Sequence, residues 1–408
     1  MTEKNQTADE RRSTQIRAQE HLQSLAFIRV HSCLPAIALA TAGPFAVKFA
    51  ICYLPCVIFT VSTVSMIKKV RYWFEFVFVA LFARIIPLAP LALLHGLASI
   101  LGWLVYHLDR RSRSVALANL EAAFGDQYTQ KERERIARRS VQAFGRSFLE
   151  LFWSPRLNGQ NIHRYVRFAD EKRFEAMLST KQEQPVIGIT VHFGNFEWGS
   201  ALFGFRGYDG YILMQRFKND RLTALFQGFR EVSGQKSVTQ EQSMIRFFKA
   251  LKRGIPVGIL IDLTLKMSDP GLILRAFGLC MRTTMMHTVL QERTKQRIFP
   301  FITVADGQGY TVHLLDFIEF SPSASRDEIA QICWNRFEPF IRQHPEQWLW
   351  GYKHWRYRPP VDGERYPFYA NQSELFDAEF HEKLATTPTP GKNYGFAQQD
   401  HEGHKDKR

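Results

Sequence analysis

The stretch Val186-Ile-Gly-Ile-Thr-Val-His192-Phe-Gly-Asn-Phe-Glu197-Trp-Gly constrains the fold most, because an apolar, β-branched run stops abruptly at a histidine. Pro185 opens the run, Gly194 and Asn195 permit a tight turn, and Phe196-Glu-Trp-Gly-Ser-Ala-Leu-Phe starts a helical pattern, so the segment reads as strand, turn, helix. A neutral imidazole at such a strand end can take a proton from a hydroxyl while a carboxylate, here Glu197, orients the ring. Amides of the turn and the helix start, near Gly194 and Asn195, would face an oxyanion. The reaction this suggests is acyl transfer to an alcohol.

Spacing alone would be weak support. With 13 histidines and 39 acidic residues, about one His followed five positions later by Asp or Glu is expected by chance, and three occur. His401 with Asp406 lies in a polar tail, and His287 with Glu292 lies within a helical pattern, where five residues turn the side chains onto different faces. Only His192 stands where a strand meets a turn. The competing reading for it is a histidine simply satisfied at a strand end.

Downstream the pattern alternates between helices and short apolar strands. The strands are expected at Val186–Val191, Tyr211–Met214, Pro256–Ile261, Ile298–Val304 and Tyr310–Leu315, and their nearly continuous apolar character predicts a sheet covered on both faces. Thr129-Gln-Lys-Glu132 and Ser325-Arg-Asp-Glu328 are capping-box spacings that predict helices near 130–153 and 326–343. The fold class is therefore α/β, a mixed sheet flanked by helices. Arg216 and Asn219 follow the second of these strands and Asp262 ends the third, at the edge where strand C-termini collect ligands. The Arg216 guanidinium suits a phosphate, with a surface ion pair as the alternative. Asp262 is a site residue or a helix cap. The block Gln347-Trp-Leu-Trp-Gly-Tyr-Lys-His-Trp-Arg356 is an interface belt or core packing, and core is favoured.

The N-terminal third has a different character. Residues 1–33 form a polar tail, and 34–70 a membrane anchor in which Phe49 to Ile67 is an uncharged run of 19 residues. Such a run reaches about 28 Å as a helix, close to the thickness of a bilayer core, and Pro55 would kink it without forbidding it. Lys68, Lys69 and Arg71 then place the following domain on the cytoplasmic side. Residues 71–108, broken by Arg84, Pro87 and Pro90, read either as helices on the membrane surface or as a helical hairpin packed on the core. Residues 109–362 form the main domain, and 363–408 a polar tail, disordered from about residue 383.

A net charge of +14 points to a polyanionic neighbour. Thirty-four Phe and eight Trp, with no finger, helix-turn-helix or ribonucleoprotein signature, favour a lipid surface over nucleic acid. The five cysteines lack metal-ligand spacing and read as small hydrophobes in a reducing compartment.

Several separated blocks together resemble the motifs of the bacterial lipid A late acyltransferases, a lauroyl- and myristoyltransferase-like family. They are His192-Phe-Gly-Asn-Phe-Glu197-Trp, Arg216 with Asn219 and Leu222, Asp262, Ala276-Phe277-Gly278 with Thr283, and Pro345-Glu-Gln-Trp-Leu-Trp350 up to Trp355-Arg356. Ahead of them, Arg113-Ser-Val-Ala-Leu-Ala-Asn119-Leu with Phe124 is similar to that family's leading segment, so the likeness runs from about Tyr72 to Pro360. The resemblance implies a glycerolipid-acyltransferase-like fold and an enzyme of the bacterial inner membrane, active on its cytoplasmic face. It implies transfer of a fatty acyl chain from acyl carrier protein to a hydroxyl of an acylated, phosphorylated glucosamine lipid, with no metal and no cofactor beyond the carrier thioester. His192 and Glu197 would be catalytic, and Gly194, Asn195, Arg216, Asn219 and Asp262 substrate-binding. Three departures stand out: Leu263 where the family has Gln, Thr284-Met-Met-His287 in place of a small-residue stretch, and Tyr352 in place of His. They leave open the same chemistry on a lysophospholipid, glycolipid or polyketide-like acceptor; a non-enzymatic membrane-binding protein is the remaining alternative.

Overall fold

The computed structural model describes residues 66–386 apart from 67, 242 and 361–364, and two compact units divide the chain, 1–73 and 74–408. Of the first unit only 66 and 68–73 are described, and they are helical; the expected polar tail and nearly all of the 34–70 anchor, including the 49–67 run, lie outside the described residues.

The second unit is built on a seven-stranded sheet. Its strands are β1 (Val166–Phe168), β2 (Ile187–Thr190), β3 (Tyr211–Met214), β4 (Lys236–Thr239), β5 (Val257–Leu260), β8 (Ile298–Ala305) and β9 (Tyr310–Leu314), in the order β1-β9-β8-β2-β5-β3-β4. Every neighbouring pair is parallel except β8 with β9. A separate antiparallel hairpin joins β6 (Gly271–Ala276) to β7 (Leu279–Thr284), turning through Phe277 and Gly278, both at positive φ. All five expected strands are present, within a residue or two of their expected ends. Missing from the expectation were β1, β4 and the hairpin, whose short or mixed-polarity sequences carry little periodic signal.

Both faces of the sheet are covered, as the apolar strands required. Along β8, Ile298, Ile302 and Val304 join one buried cluster while Phe299 and Phe301 join the other. The first cluster takes in α8 (Ser243–Lys252), α9 (Met286–Thr294) and α10 (Arg326–Asn335); the second takes in α5 (Glu171–Ser179), α6 (Phe196–Phe205) and α7 (Asp220–Glu231). Trp348, Trp350 and Trp355 are buried in the first, so the aromatic block is core.

Both capping boxes form. Thr129 caps α4 (Gln130–Trp153) as expected, but the helix started by Ser325 stops at Asn335, and α11 (Glu338–Gln343) starts anew with Pro339 in its first turn. The region read as 71–108 holds a helix over 74–85, a 3-10 turn at Ile86–Leu88 containing Pro87, and α2 (Leu91–Leu108), followed by α3 (Arg110–Phe124). Leu94, Ala98, Gly102 and Tyr106, spaced four apart, bury one face of α2. Gly102 lies so close to α4 that a Cβ there would sit 2.7 Å from the Gln142 Cα. The opposite face, with Leu93, Ile100, Trp103, Leu104 and Leu108, is exposed. Thus α2 packs on the core with one face and leaves an apolar face exposed. By length and a mean hydropathy of 1.6 it is also the one candidate membrane span among the described residues.

The last segment corrects the expected boundary at 363. Tyr366, Tyr369, Phe376 and Phe380 are buried, and α12 (Glu374–Thr386) brings Phe376 and Phe380 into an apolar cluster with Ile273 and Cys280 of the hairpin. Four aromatics in a charged sequence are enough to dock the segment at least as far as residue 382.

Candidate active site

β2 and β5 are parallel neighbours paired rung for rung from Ile187 with Val257 to Thr190 with Leu260. His192 and Asp262 each stand two residues past that last rung, so both arrive at the same point of the sheet's C-terminal edge. Asp262 Oδ1 lies 2.7 Å from His192 Nδ1, and its Oδ2 accepts the His192 backbone N–H at 2.9 Å and the Trp348 indole N–H at 2.9 Å. Asp262 is fully buried. Burial by itself would raise its pKa; the His192 charge and hydrogen bonds, with His354 nearby, outweigh that and hold the carboxyl below its usual range. An ionised Asp262 can only accept, so His192 donates through Nδ1–H. In the neutral ring Nε2 then carries the lone pair, without a hydrogen-bond partner among the described residues, on a side chain 15% exposed. That is the geometry of a general base held by a carboxylate.

The loop carrying Asp262 is itself pinned. Thr283 Oγ1 donates to the Ile261 carbonyl, Tyr352 Oη to the Thr264 carbonyl at 2.8 Å, and Thr264 Oγ1 to the His354 carbonyl. His354 stacks on Trp348 with ring centroids 4.0 Å apart. Tyr352, one of the departures, therefore has a definite structural task. His287, another, is buried with neither ring nitrogen hydrogen-bonded among the described residues, and burial drives its pKa down to about 4; Glu292 pairs instead with Arg326, so these two do not act together.

Glu197 does not hold the imidazole. Five residues past His192 it sits in the first turn of α6, and both its oxygens accept from Arg230 Nε, at 3.0 and 2.8 Å, with a further bond to Nη2. The pair is largely buried, Glu197 at 10% and Arg230 at 20% side-chain exposure. The carboxylate on the ring is Asp262, 70 residues away, because parallel pairing of β2 with β5 brings the two strand ends together.

Gly194 and Asn195 shape the turn. Gly194 has φ of +54°, and a Cβ would lie 2.1 Å from the Thr303 carbonyl oxygen, so only glycine fits. Its N–H is already given to the Gln347 carbonyl at 3.0 Å, and therefore does not face an oxyanion. Asn195 is the fully buried N-cap of α6: its Oδ1 accepts the Trp198 N–H at 2.9 Å and its Nδ2 donates to Glu150 Oε2 at 2.7 Å. Its side chain is consumed in this role. The donors remaining at the open helix start are the Phe196 and Glu197 amides.

At the far side of the sheet, Asn219 caps α7 and is nearly buried. Arg216 stands at the surface, 47% exposed, held by Asp220 at 2.8 Å and Glu241 at 3.0 Å.

A model of the family described as bacterial lipid A biosynthesis acyltransferase matches residues 64–357. The chain belongs to that family. It is an acyltransferase, and the family's role is lipid A biosynthesis. The lipid A biosynthesis lauroyltransferase of Escherichia coli (strain K12) is 23% identical over 309 residues, covering 72% of this chain and 95% of that protein. The matched stretch holds His192, Asp262, Arg216 and Arg230 and ends just past the aromatic block.

The sequence reading missed three residues packed around this turn: Trp348, whose indole bonds Asp262, Arg230, which pairs with Glu197, and Glu150, which bonds Asn195. Glu150 had a visible signal, a lone carboxylate within Phe148-Leu-Glu-Leu-Phe-Trp153. Arg230 had none, being one of the chain's 53 Lys and Arg residues, placed on an amphipathic helix.

Proposed function

We propose that this acyltransferase moves a fatty acyl chain from an acyl carrier protein thioester to a hydroxyl of a phosphorylated, acylated glucosamine precursor of lipid A. The observation that carries the mechanism is the buried Asp262 on His192 Nδ1, which leaves Nε2 as a base. The acceptor oxygen attacks the thioester carbonyl while Nε2 takes its proton; the C–O bond forms, the C–S bond breaks, and the imidazolium returns the proton to the departing thiolate. Phe196 and Glu197 amides, with the α6 dipole behind them, would hold the tetrahedral oxyanion. No metal or cofactor is required by this sequence of steps.

Arg216 is the proposed contact for the acceptor phosphate. An exposed ion pair contributes about 0–1 kcal/mol, so a phosphate can replace Asp220 or Glu241 at little cost. The lipid's approach is supported by an aromatic track, Phe78 to Phe82 to Phe152 to Phe226 to Phe217, with successive ring centroids 4.9–6.2 Å apart, ending beside Arg216. With the exposed apolar face of α2, this supports work at a membrane surface, which we take to be the cytoplasmic face of the bacterial inner membrane.

The test is deletion of the gene in its host, followed by mass spectrometry of intact lipids after complementation with wild type or His192→Ala. Loss of one acyl chain from lipid A, restored by wild type alone, is expected. Unchanged lipid A with a different acylated lipid missing would move the acceptor to a lysophospholipid or glycolipid, and restoration by His192→Ala would overturn the mechanism.

A further inference from the structure

Beneath the catalytic turn lies a carboxylate that touches no part of the proposed reaction. Glu150, on the inner face of α4, is fully buried. Its Oε2 accepts from Asn195 Nδ2 at 2.7 Å and from the Tyr310 hydroxyl at 2.6 Å. Its Oε1 accepts from Arg146 Nε at 3.0 Å and lies 2.7 Å from His95 Nε2 on α2. Burial, and secondarily the Glu150 charge, push the Tyr310 hydroxyl well above its ordinary pKa, so it stays a donor. One turn earlier on the same helix face, Ser147 Oγ donates to the Gly194 carbonyl at 3.0 Å.

We propose that Glu150 is a positioning residue for acyl transfer, which, through Asn195, fixes the turn between His192 and the α6 amides. Asn195 has one side-chain oxygen and one nitrogen; the oxygen caps α6 and the nitrogen is anchored by Glu150. If the anchor is lost, the cap can rotate, and the Phe196 and Glu197 amides lose their fixed direction relative to Nε2. Misplacement of that kind costs about 10²-fold in rate even when nothing in the chemistry is removed. The same carboxylate receives His95, whose helix carries the exposed apolar face, so the turn is tied through Glu150 to that helix.

The inference rests on the acyl-transfer reading for its effect on rate, but its structural half is measured independently. Glu150→Gln puts an amide nitrogen against donors on one side or the other; Asn195→Asp sets two carboxylates against each other; the double variant exchanges acid and amide and restores a donor–acceptor pair. Turnover with a carrier-protein thioester and a phosphorylated glucosamine lipid is measured together with amide hydrogen exchange over 195–199. Glu150→Gln is expected to lower kcat about 10–100-fold with the thioester KM within about twofold, and to speed exchange at 198 and 199, whose amides bond Asn195, by tenfold or more. The double variant is expected to recover kcat to within about fivefold of wild type and to restore protection. Exchange or kcat equal to wild type in Glu150→Gln overturns the proposal, as does a double variant no better than its single parents. If Glu150→Gln does not fold, the comparison of Asn195→Asp with the double variant decides in the same way. If wild type fails on this acceptor, the acyl-transfer reading is at fault and the exchange data still judge Glu150.

Discussion

Two pairs of side chains occupy equivalent positions on this sheet and differ sharply in burial. His192 and Asp262 lie two residues past the last rung of β2 with β5; Arg216 and Glu241 lie two residues past the last rung of β3 with β4, Met214 with Thr239. In each case parallel pairing delivers two side chains to one point of the C-terminal edge. Asp262 is fully buried, roofed by Trp348 and its loop pinned from below. The Arg216 and Glu241 side chains are 47% and 65% exposed. Topology sets the meeting place, and burial sets its use. A dry pair is locked in one tautomer and suits proton transfer, whereas a wet pair exchanges partners and suits binding of an incoming anion.

The contrast can be broken most sharply at His192. His192→Ala is expected to cut kcat by about 10³–10⁴-fold and also to lower the melting temperature, because it leaves the buried Asp262 carboxyl without its partner; turnover of the folded protein, checked by thermal unfolding, reads the first effect. Asp262→Asn should cost up to about 10⁴-fold, because the amide no longer selects the useful tautomer. It should also cost stability with a definite sign. The folded carboxyl titrates below its ordinary 3.8, so its stabilisation is present above that pH and lost as pH falls through the lower folded value. Wild type should thus melt above Asp262→Asn at neutral pH, with the gap closing below about pH 4.

Smaller effects are expected at the wet pair. Arg216→Ala should raise the acceptor KM about tenfold with kcat within about threefold, since one charge-assisted contact is lost from binding. Glu241→Gln should lower the same KM by about twofold to threefold by removing a competitor, with less than ~1 kcal/mol change in stability by denaturant titration. A kcat loss at Arg216 as large as at Asp262 would remove the distinction.

How much of this was written in the sequence depends on the range of the interaction. The β2 strand, its turn and α6 were legible because apolar run, glycine and N-cap lie within 20 residues, and both capping boxes formed for the same reason. The identity of the carboxylate on His192 was not legible. Glu197 was near in sequence and had a plausible spacing, while Asp262 becomes a partner only through strand order, which local patterns do not encode. Gly194 and Asn195 were rightly placed in the turn, but their hydrogen-bonding groups are spent on Gln347, Trp198 and Glu150, a matter of tertiary packing. The docked segment from 365 to 382 was hidden by its charge: four aromatics suffice to order it, and average polarity does not reveal them.

Nuclear magnetic resonance of the 15N-histidine-labelled enzyme tests the His192–Asp262 pair most directly. A downfield Nδ1 proton on His192 is expected in wild type; it should vanish in Asp262→Asn and persist in Glu197→Gln. A signal lost in Glu197→Gln and retained in Asp262→Asn would contradict the assignment and return the imidazole to Glu197.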